Sequence, residues 1–478
     1  MQFNFTAELE ALREGDRSNE LFATIINKYR FRLEEIKLLH DRYTTRHVPI
    51  MDRCVSDPMS IDNRVNNDFF SEIINIKTGY FSGNPQAYIF ADKDKKPAEL
   101  FNRLRKKNRL DDLASETTKH CGIGGYSARL VYVDVYGELA LTNLNPWECV
   151  FLGEKGLDEP EYAIHFYEYT DVDGNGWFRM ALYEPYKVSY YEGEALGQLY
   201  LKEERETVFS RCNLFGYENN EELQGDAEKV LSEIDDYDKV VSDFSSELES
   251  FRSAYLALYN VEPSNIDFKQ TGTLFLKTND ITGAQQKAEF ITKSIQVDAM
   301  REHLDRLESN IYRFSNTPNM KEMQLGSAAS GTALKFRLYA LENKTASFER
   351  KTVSSNLTML ECIRDYFRLK GADFDPYDVE QSFTRNIPVD LESEMRALAL
   401  GKGNVPYEKL LGQISFIEDP KAAVEELREE TLENNPYLGV DNFEQQGVNA
   451  ISQGTEVVSN ETGTAGATEE SRSNNQTL

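Results

Sequence analysis

The sequence predicts an α+β fold, predominantly helical, and three features carry that prediction. Two apolar runs, Val230–Leu258 and Val297–Phe314, repeat at heptad spacing. A stretch of 39 residues, 332–370, contains neither Gly nor Pro. Between about 126 and 193, several segments rich in Tyr, Phe and Val alternate as antiparallel strands do. At 478 residues the chain has room for two or three domains, and with 40% hydrophobic residues, 25 Tyr and 27 Phe it can bury a real core.

Taken in order, residues 18–45 and 62–80 carry helical periodicity. The second runs Phe69, Ile73, Ile74, Lys77 and Tyr80 and stops at "YFSGNP". Residues 98–120 read as one helix. "YSARLVYVDVYGELALTNL" reads as a hairpin around Tyr136 and Gly137, and "EYAIHFYEYT", "WFRMALYE" and "KVSYYEGE" continue as antiparallel strands. From Val230 the apolar positions Ile234, Tyr237, Val241, Phe244, Leu248, Phe251, Tyr255 and Leu258 alternate spacings of four and three. The pattern resumes at Val297, Met300, Leu304, Leu307, Ile311 and Phe314. Such seams favour long helices lying side by side.

The 36 residues between them, 261–296, hold strand-like "GTLFLKT" and "KAEFITKSI", a small α/β cap on a helical pair. The first helix carries nine acids and three basic residues over 226–259, so most of its circumference faces water or a large cavity. The segment 332–370 predicts a third helix with a stripe at Leu334, Leu338, Leu341, Phe348, Val353, Leu357, Leu360 and Phe367, about 55 Å long if unbroken. "SFTRNIPVD" reads as a short strand with its exit. Residues 390–433 then give about three helices, with Asp419 and Pro420 as an N-cap and N1 pair. Residues 444–478 lack aromatics and are rich in polar residues, which predicts a disordered tail from about 436.

Charge and motifs exclude several classes of function. The chain has 53 basic and 81 acidic residues, a net −28, and lacks the basic footprint of a freestanding DNA-binding protein. No apolar run approaches the ~18 residues of a membrane span, and the acidic N-terminus does not resemble a signal peptide. The five Cys (54, 121, 149, 212, 362) are scattered, which suits reduced thiols in a cytosol, and the five His show no metal-ligand spacing.

"GSAASGTALK" at 326–335 outlines a phosphate-binding loop, but the Lys such a loop needs after Gly331 is replaced by Thr332. "DVDGNG" at 171–176 begins like a calcium loop, yet Leu182 stands where a bidentate Glu is required, so a hairpin tip is expected. "CGIGG" at 121–125 fails the dinucleotide fingerprint because Ser127 holds its last Gly position. "RLRKKNR" at 103–109 reads as a solvated helix face, and Cys121 beside His120 as a packed thiol. No catalytic constellation and no cofactor site emerge.

Four blocks in this order resemble portal proteins of long-tailed phages that infect Gram-positive bacteria. They are "NRVNNDFFSEIINIKTGYFSGNPQAYIF" (63–90), the heptad pair around its insert, "SGTALKFRLYALENKTASFE" (330–349) and "SFTRNIPVD" (382–390), and the resemblance spans roughly 20–435.

The resemblance implies a portal fold: a wing at 1–225, an outward stem helix at 226–260, a clip at 261–296 and a return stem helix at 297–318. A tunnel loop at 319–331, a tunnel helix with wing return at 332–383 and a crown at 384–435 would follow. Twelve copies would form a ring at one capsid vertex, assembled in the host cytoplasm and kept in the virion, through which double-stranded DNA is packaged and ejected. Partners would be the terminase, the head–tail adaptor, and the major capsid and scaffolding proteins, with no membrane.

The small residues Gly326, Ser327, Ala328, Ala329, Ser330, Gly331 and Thr332 would let twelve loops crowd an aperture, their hydroxyls touching phosphates without reading sequence. Lys269, Lys277, Lys287 and Lys293 would mark the clip as the docking face for terminase and adaptor. They are set against Glu262, Asp267, Asp280 and Glu289, so the clip is far less acidic than the stem. An acidic wall repels DNA across a Debye length of ~8 Å, so the polymer is not held fast. Two rival readings are another ring-forming connector or capsid protein, and a nucleic-acid enzyme such as the packaging ATPase.

Overall fold

The computed structural model describes residues 5–54, 61–91, 93, 95–251, 255–259, 273–276, 287–291, 297–321, 331–387, 391–401, 405–411, 414, 417 and 423–428. The chain divides into two units, Met1–Ile387 and Pro388–Leu478. The first opens with helices α1 (Thr6–Arg13) and α2 (Asn19–Tyr43), and the Ser18 hydroxyl caps α2 by accepting from the Leu21 N–H. A single turn, α3 (Pro49–Asp52), precedes α4 (Phe69–Ser82), which is capped by Asp68. Strand β1 is Ala87–Ile89.

The helix expected over 98–120 is two helices, α5 (Lys95–Asn108) and α6 (Leu110–Gly124). Arg109 sits between them in the left-handed region, at φ 50°. The Asn108 side chain causes the break, because it donates to the Leu104 and Leu139 carbonyls and accepts from the Leu141 N–H. The chain is thereby tied to a strand, and Leu110 turns into the core.

The expected hairpin follows as β2 (Tyr126–Val133) and β3 (Leu139–Leu144), closed by Gly137 at φ 74°. Next comes an antiparallel meander: β4 (Cys149–Leu152), β5 (Tyr162–Thr170), β6 (Gly176–Glu184), β7 (Lys187–Gly193) and β8 (Tyr200–Glu206). "DVDGNG" is the tip between β5 and β6. The Asp171 carboxylate there accepts from the Asp173 and Asn175 N–H groups and from the Trp177 indole. Strand β9 (Leu214–Glu218) returns to pair with β2, giving the order β3-β2-β9. Helix α2 lays Phe22, Ile25, Ile26, Tyr29 and Leu33 on the meander at Val150, Ile164, Met180 and Leu182. Full burial of side chains of this size stabilises by ~1.5–3 kcal/mol each.

The helical pair is α7 (Leu231–Phe251) and α8 (Val297–Phe314), and the two pack together. The outward helix expected to run to 260 stops at Phe251, and Tyr255–Tyr259 is instead strand β10. Apolar residues at 255, 256, 258 and 259 satisfy either period, and pairing decides between them. Strand β10 is the centre of a sheet, parallel to β11 (Thr273–Leu276) and antiparallel to β12 (Lys287–Ile291). The seam is tight at its root, where Val230, Ile234, Leu307 and Ile311 are buried. It opens toward the tip, with Leu248 48% and Val297 44% exposed. Phe314, at 49% exposure, also falls outside the expected seam.

Helix α9 (Gly331–Leu369) is the expected long helix, 39 residues and unbroken. Leu338, Leu341, Phe348, Leu360 and Phe367 are buried as expected, while Val353 and Leu357 are half-buried. Its C-terminal half is the spine of a core shared with α5, α6 and the β3-β2-β9 sheet. The strand expected at 382–390 lies just upstream, as β13 (Glu380–Ser382) paired with β1. In the second unit, α10 (Leu391–Gly401), α11 (Tyr407–Leu411) and a helical turn at 423–428 match the expected helix content. The Asp419–Pro420 cap and the tail from 436 lie outside the described residues. Among the described residues, no helix is long and apolar enough to cross a membrane.

Candidate functional site

Of the residues singled out by sequence, Gly326–Ser330 and Lys269, Lys277 and Lys293 lie outside the described residues. Gly331 and Thr332 open α9, and Lys287 opens β12 opposite Tyr259. The candidate site is therefore read from the elements on which these positions hang: α9, and the roots of α7 and α8.

The N-terminal half of α9 is two-faced. Leu338, Leu341, Thr345, Phe348 and Thr352 are buried at spacings of three and four. Facing away are Phe336, Tyr339, Asn343, Ser347 and Arg350, with Phe336 78% and Tyr339 65% exposed. Polar contacts fix the rotation of this helix. Glu342 accepts from the Tyr80 hydroxyl at 2.7 Å and from Arg385 at 3.0 Å, and Lys351 reaches Glu218 at 2.7 Å and Glu221 at 2.8 Å. Deeper, Asn356 accepts from the Tyr217 hydroxyl at 2.9 Å. Tyr217 in turn accepts from Arg129, a buried guanidinium that also donates to Thr117 and Asn143.

The roots of α7 and α8 meet α9 at one carboxylate. Asp226 lies 3.1 Å from the Lys77 amine on α4 and 2.9 Å from the Lys344 amine on α9. Lys344 also donates to the Ser315 carbonyl just past α8, at 3.0 Å. One lysine thus joins the start of the outward helix, the end of the return helix and the long helix. Lys77 is 1% exposed, donates to Asn219, and lies 4.2 Å from the centre of the Phe348 ring.

Burial pushes the Asp226 carboxyl up, but Lys344 and Lys77 outweigh it and hold the group below the usual carboxylate range. Burial lowers the Lys344 amine, with Lys77 acting the same way and Asp226 opposing. "CGIGG" explains how the carboxylate is approached. A Cβ on Gly122 would stand 2.9 Å from an Asp226 oxygen, and Gly125 takes φ 91° against the Leu223 backbone.

Sequence reasoning missed this cluster, although Lys77 in an otherwise apolar stripe was its visible sign. A second feature it missed runs along α7. Asp238, Ser242 and Ser246, one helical turn apart, accept from the backbone N–H groups of Asn67, Val65 and Asn63 at 2.8, 2.9 and 2.8 Å. Cys121 is a packed thiol, as expected, donating to the Tyr217 carbonyl, with its pKa raised by burial. Among the described residues no group of three His, Cys, Asp or Glu side chains is placed to hold a metal ion.

Comparison with known proteins bears on the same span. The family model described as "Phage portal protein, SPP1 Gp6-like" matches residues 23–437. The portal protein of Bacillus phage SPP1 is 23% identical over 393 residues, 78% of this chain and 77% of that protein. The portal protein of Clostridium phage phiCD119 is 24% identical over 407 residues, covering 79% and 86% respectively.

Proposed function

The chain belongs to the SPP1 Gp6-like family of phage portal proteins, and from that premise we propose that it forms a ring-shaped conduit for double-stranded DNA. The family is a structural one of the phage virion, at a capsid vertex. In our reading twelve copies close the ring, DNA is packaged and later ejected through it, and a separate terminase supplies the work. Residues 1–225 form the wing, α7 and α8 the stem, and β10–β12 with the chain between them the clip. Residues 319–331 form the tunnel loop, α9 the tunnel helix and 384–435 the crown. Terminase and the head–tail adaptor dock on the clip, and capsid and scaffolding proteins contact the ring.

The observation that carries this reading is the sequence of elements: two side-by-side helices around a three-stranded sheet, followed by a 39-residue helix. The stem seam supports it as well, because its apolar positions loosen toward the tip and leave surface for neighbouring copies. At −28 per copy, such a ring repels DNA over most of its wall and lets it slide.

Two measurements test the reading. Electron micrographs of the purified chain should show rings with a central hole, and a sample that stays monomeric under all salt conditions argues against it. Replacing Ala328 and Ala329 by Trp should leave rings intact yet stall terminase-driven packaging. Packaging of full-length DNA at the normal rate by that variant would remove the tunnel loop from the passage.

A further inference from the structure

The core behind the C-terminal half of α9 holds a cation without an anion. Arg129 on β2 is 1% exposed, and no carboxylate pairs with it among the described residues. A guanidinium keeps its proton in a protein, so this charge persists in the core. Its partners are all neutral. Nε donates to Asn143 at 3.1 Å, Nη1 to the Tyr217 hydroxyl at 3.0 Å and to the Met359 sulfur at 3.7 Å, and Nη2 to the Thr117 hydroxyl at 2.7 Å. The second N–H on Nη2 meets no acceptor among the described residues. Neutral partners satisfy hydrogen bonds but do not cancel charge, and an ion buried without a counter-ion is costly.

A cavity of about 20 Å³ opens against this guanidinium, lined among others by Asp111, Thr117, Gln86, Asn356 and Tyr217. One water-sized guest needs ~10–15 Å³, so there is room for one and no more. Asn356 gives its N–H groups to Gln86 and Gln381 and its oxygen to Tyr217. Gln86 gives one N–H to Gln381 and has a second to offer. The single carboxylate of the lining, Asp111, is partly exposed and held by Arg105 at 2.8 Å. That pair is neutral, and the site keeps the +1 of Arg129.

We infer that this cavity binds a monovalent halide, with chloride as the natural ligand. Arg129 supplies the charge and one N–H, and Gln86 supplies a second N–H. Phe81, Phe348 and Phe383 complete the wall, and among apolar rings a charge-assisted contact is strong. Water would fill the same space and leave the charge unmet. A tetrahedral oxyanion does not fit a space for one small guest. The bound ion locks a joint between four elements, because Thr117 of α6, Arg129 of β2, Tyr217 of β9 and Asn356 of α9 form one chain of hydrogen bonds.

The test follows thermal unfolding of the full chain in a zwitterionic buffer at constant ionic strength, with sodium gluconate replaced stepwise by sodium chloride. Arg129→Met removes the charge and serves as reference, so salt effects common to both proteins cancel. The Tm of wild type relative to this variant should rise by about 2 °C and then level off. Bromide should act like chloride, and sulfate should not. Gln86→Glu leaves the guanidinium in place and sets a carboxylate across the cavity from it. It keeps an oxygen to accept from Tyr88 and Asn356, and it should erase the chloride response. If Arg129→Met does not fold, Gln86→Glu takes its place as the reference.

A Tm difference that ignores the anion, or a chloride response that survives in Gln86→Glu, overturns the site. Crystals grown in bromide give the direct answer. An anomalous peak within hydrogen-bond reach of Arg129 Nη2 and Gln86 Nε2 supports the halide, and a cavity without one holds water and overturns it.

Discussion

Asp226→Asn is the most informative single change, because it removes the only anion between two lysines without altering shape. Breaking a buried pair by deleting one partner costs ~3–5 kcal/mol, since the other charge is left uncompensated. The structure offers an alternative of similar cost. Lys344, which burial already lowers, can give up its proton. From a reference pKa of ~10.4, neutralising one lysine at pH 7 costs at most ~4.6 kcal/mol at 1.36 kcal/mol per unit.

The sign of the pH dependence follows. In the variant the unfolded chain binds one more proton at this lysine than the native chain does. Stability therefore rises with pH between the folded and unfolded pKa, and is lost as pH falls. Relative to wild type, the variant should be destabilised by ~3–5 kcal/mol at pH 7, and the deficit should shrink by ~2–3 kcal/mol at pH 9. Urea unfolding of both proteins in phosphate-free buffer at the two pH values measures this directly. A deficit below ~1 kcal/mol at pH 7, or one that does not narrow at pH 9, refutes the reasoning.

Three further outcomes are expected. Ser242→Ala with Ser246→Ala should destabilise by about 2 kcal/mol, since each N–H of Val65 and Asn63 loses its acceptor; hydrogen exchange should accelerate at those two amides, and unchanged exchange would contradict the contact. Burial holds His40 at about 3 and His120 at about 4, with Lys119 lowering both and Glu116 opposing at His120. Only the unfolded chain takes up these protons as pH drops below ~6.5, so stability should fall by up to ~1.4 kcal/mol per pH unit per ring between pH 6.5 and 4. His40→Phe should flatten the slope, and a flat wild-type profile between pH 7 and 5 would exclude the effect. Phe244→Asp and Leu304→Asp each place a charge on a half-buried stem position, so ring formation should fail in sedimentation while subunit unfolding shifts by only ~1–3 kcal/mol; normal rings in both variants would remove the seam from the assembly.

Periodicity made the long helices and the three central strands of the meander, β5 to β7, legible from sequence, while α1, β4, β8 and β9 went unread. The stretch 332–370, free of Gly and Pro, located α9 to within a residue at each end. Where two periods fitted equally, tertiary pairing decided, as at Tyr255–Tyr259, which became the centre of a sheet. The break at Arg109 was invisible because both flanks are good helix formers and its cause, Asn108 bonding to β3, is a contact distant in sequence. The Asp226 cluster was half legible. Lys77 announced itself by standing in an apolar stripe, but its partners come from residues far along the chain, which spacing cannot bring together. The tunnel-loop and clip assignments rest on family resemblance and on small or basic composition, and they stay proposals.

The contacts between α7 and the chain at 63–67 act as a rack and pinion. Four helical residues advance ~6.0 Å and two extended residues ~6.6 Å, so Asp238, Ser242 and Ser246 engage alternate amides with a mismatch of only about 1 Å over three teeth. A shift of one extended residue would turn every amide away, because successive N–H groups point to opposite sides. The helix can therefore re-seat along this chain only in steps of roughly 6 Å, and any smaller displacement is elastic and recovers. Axial load on α7 would be returned like that on a stiff spring. A single-residue insertion between Asn63 and Asn67 would strip the gear, while a two-residue insertion there would shift it by one tooth.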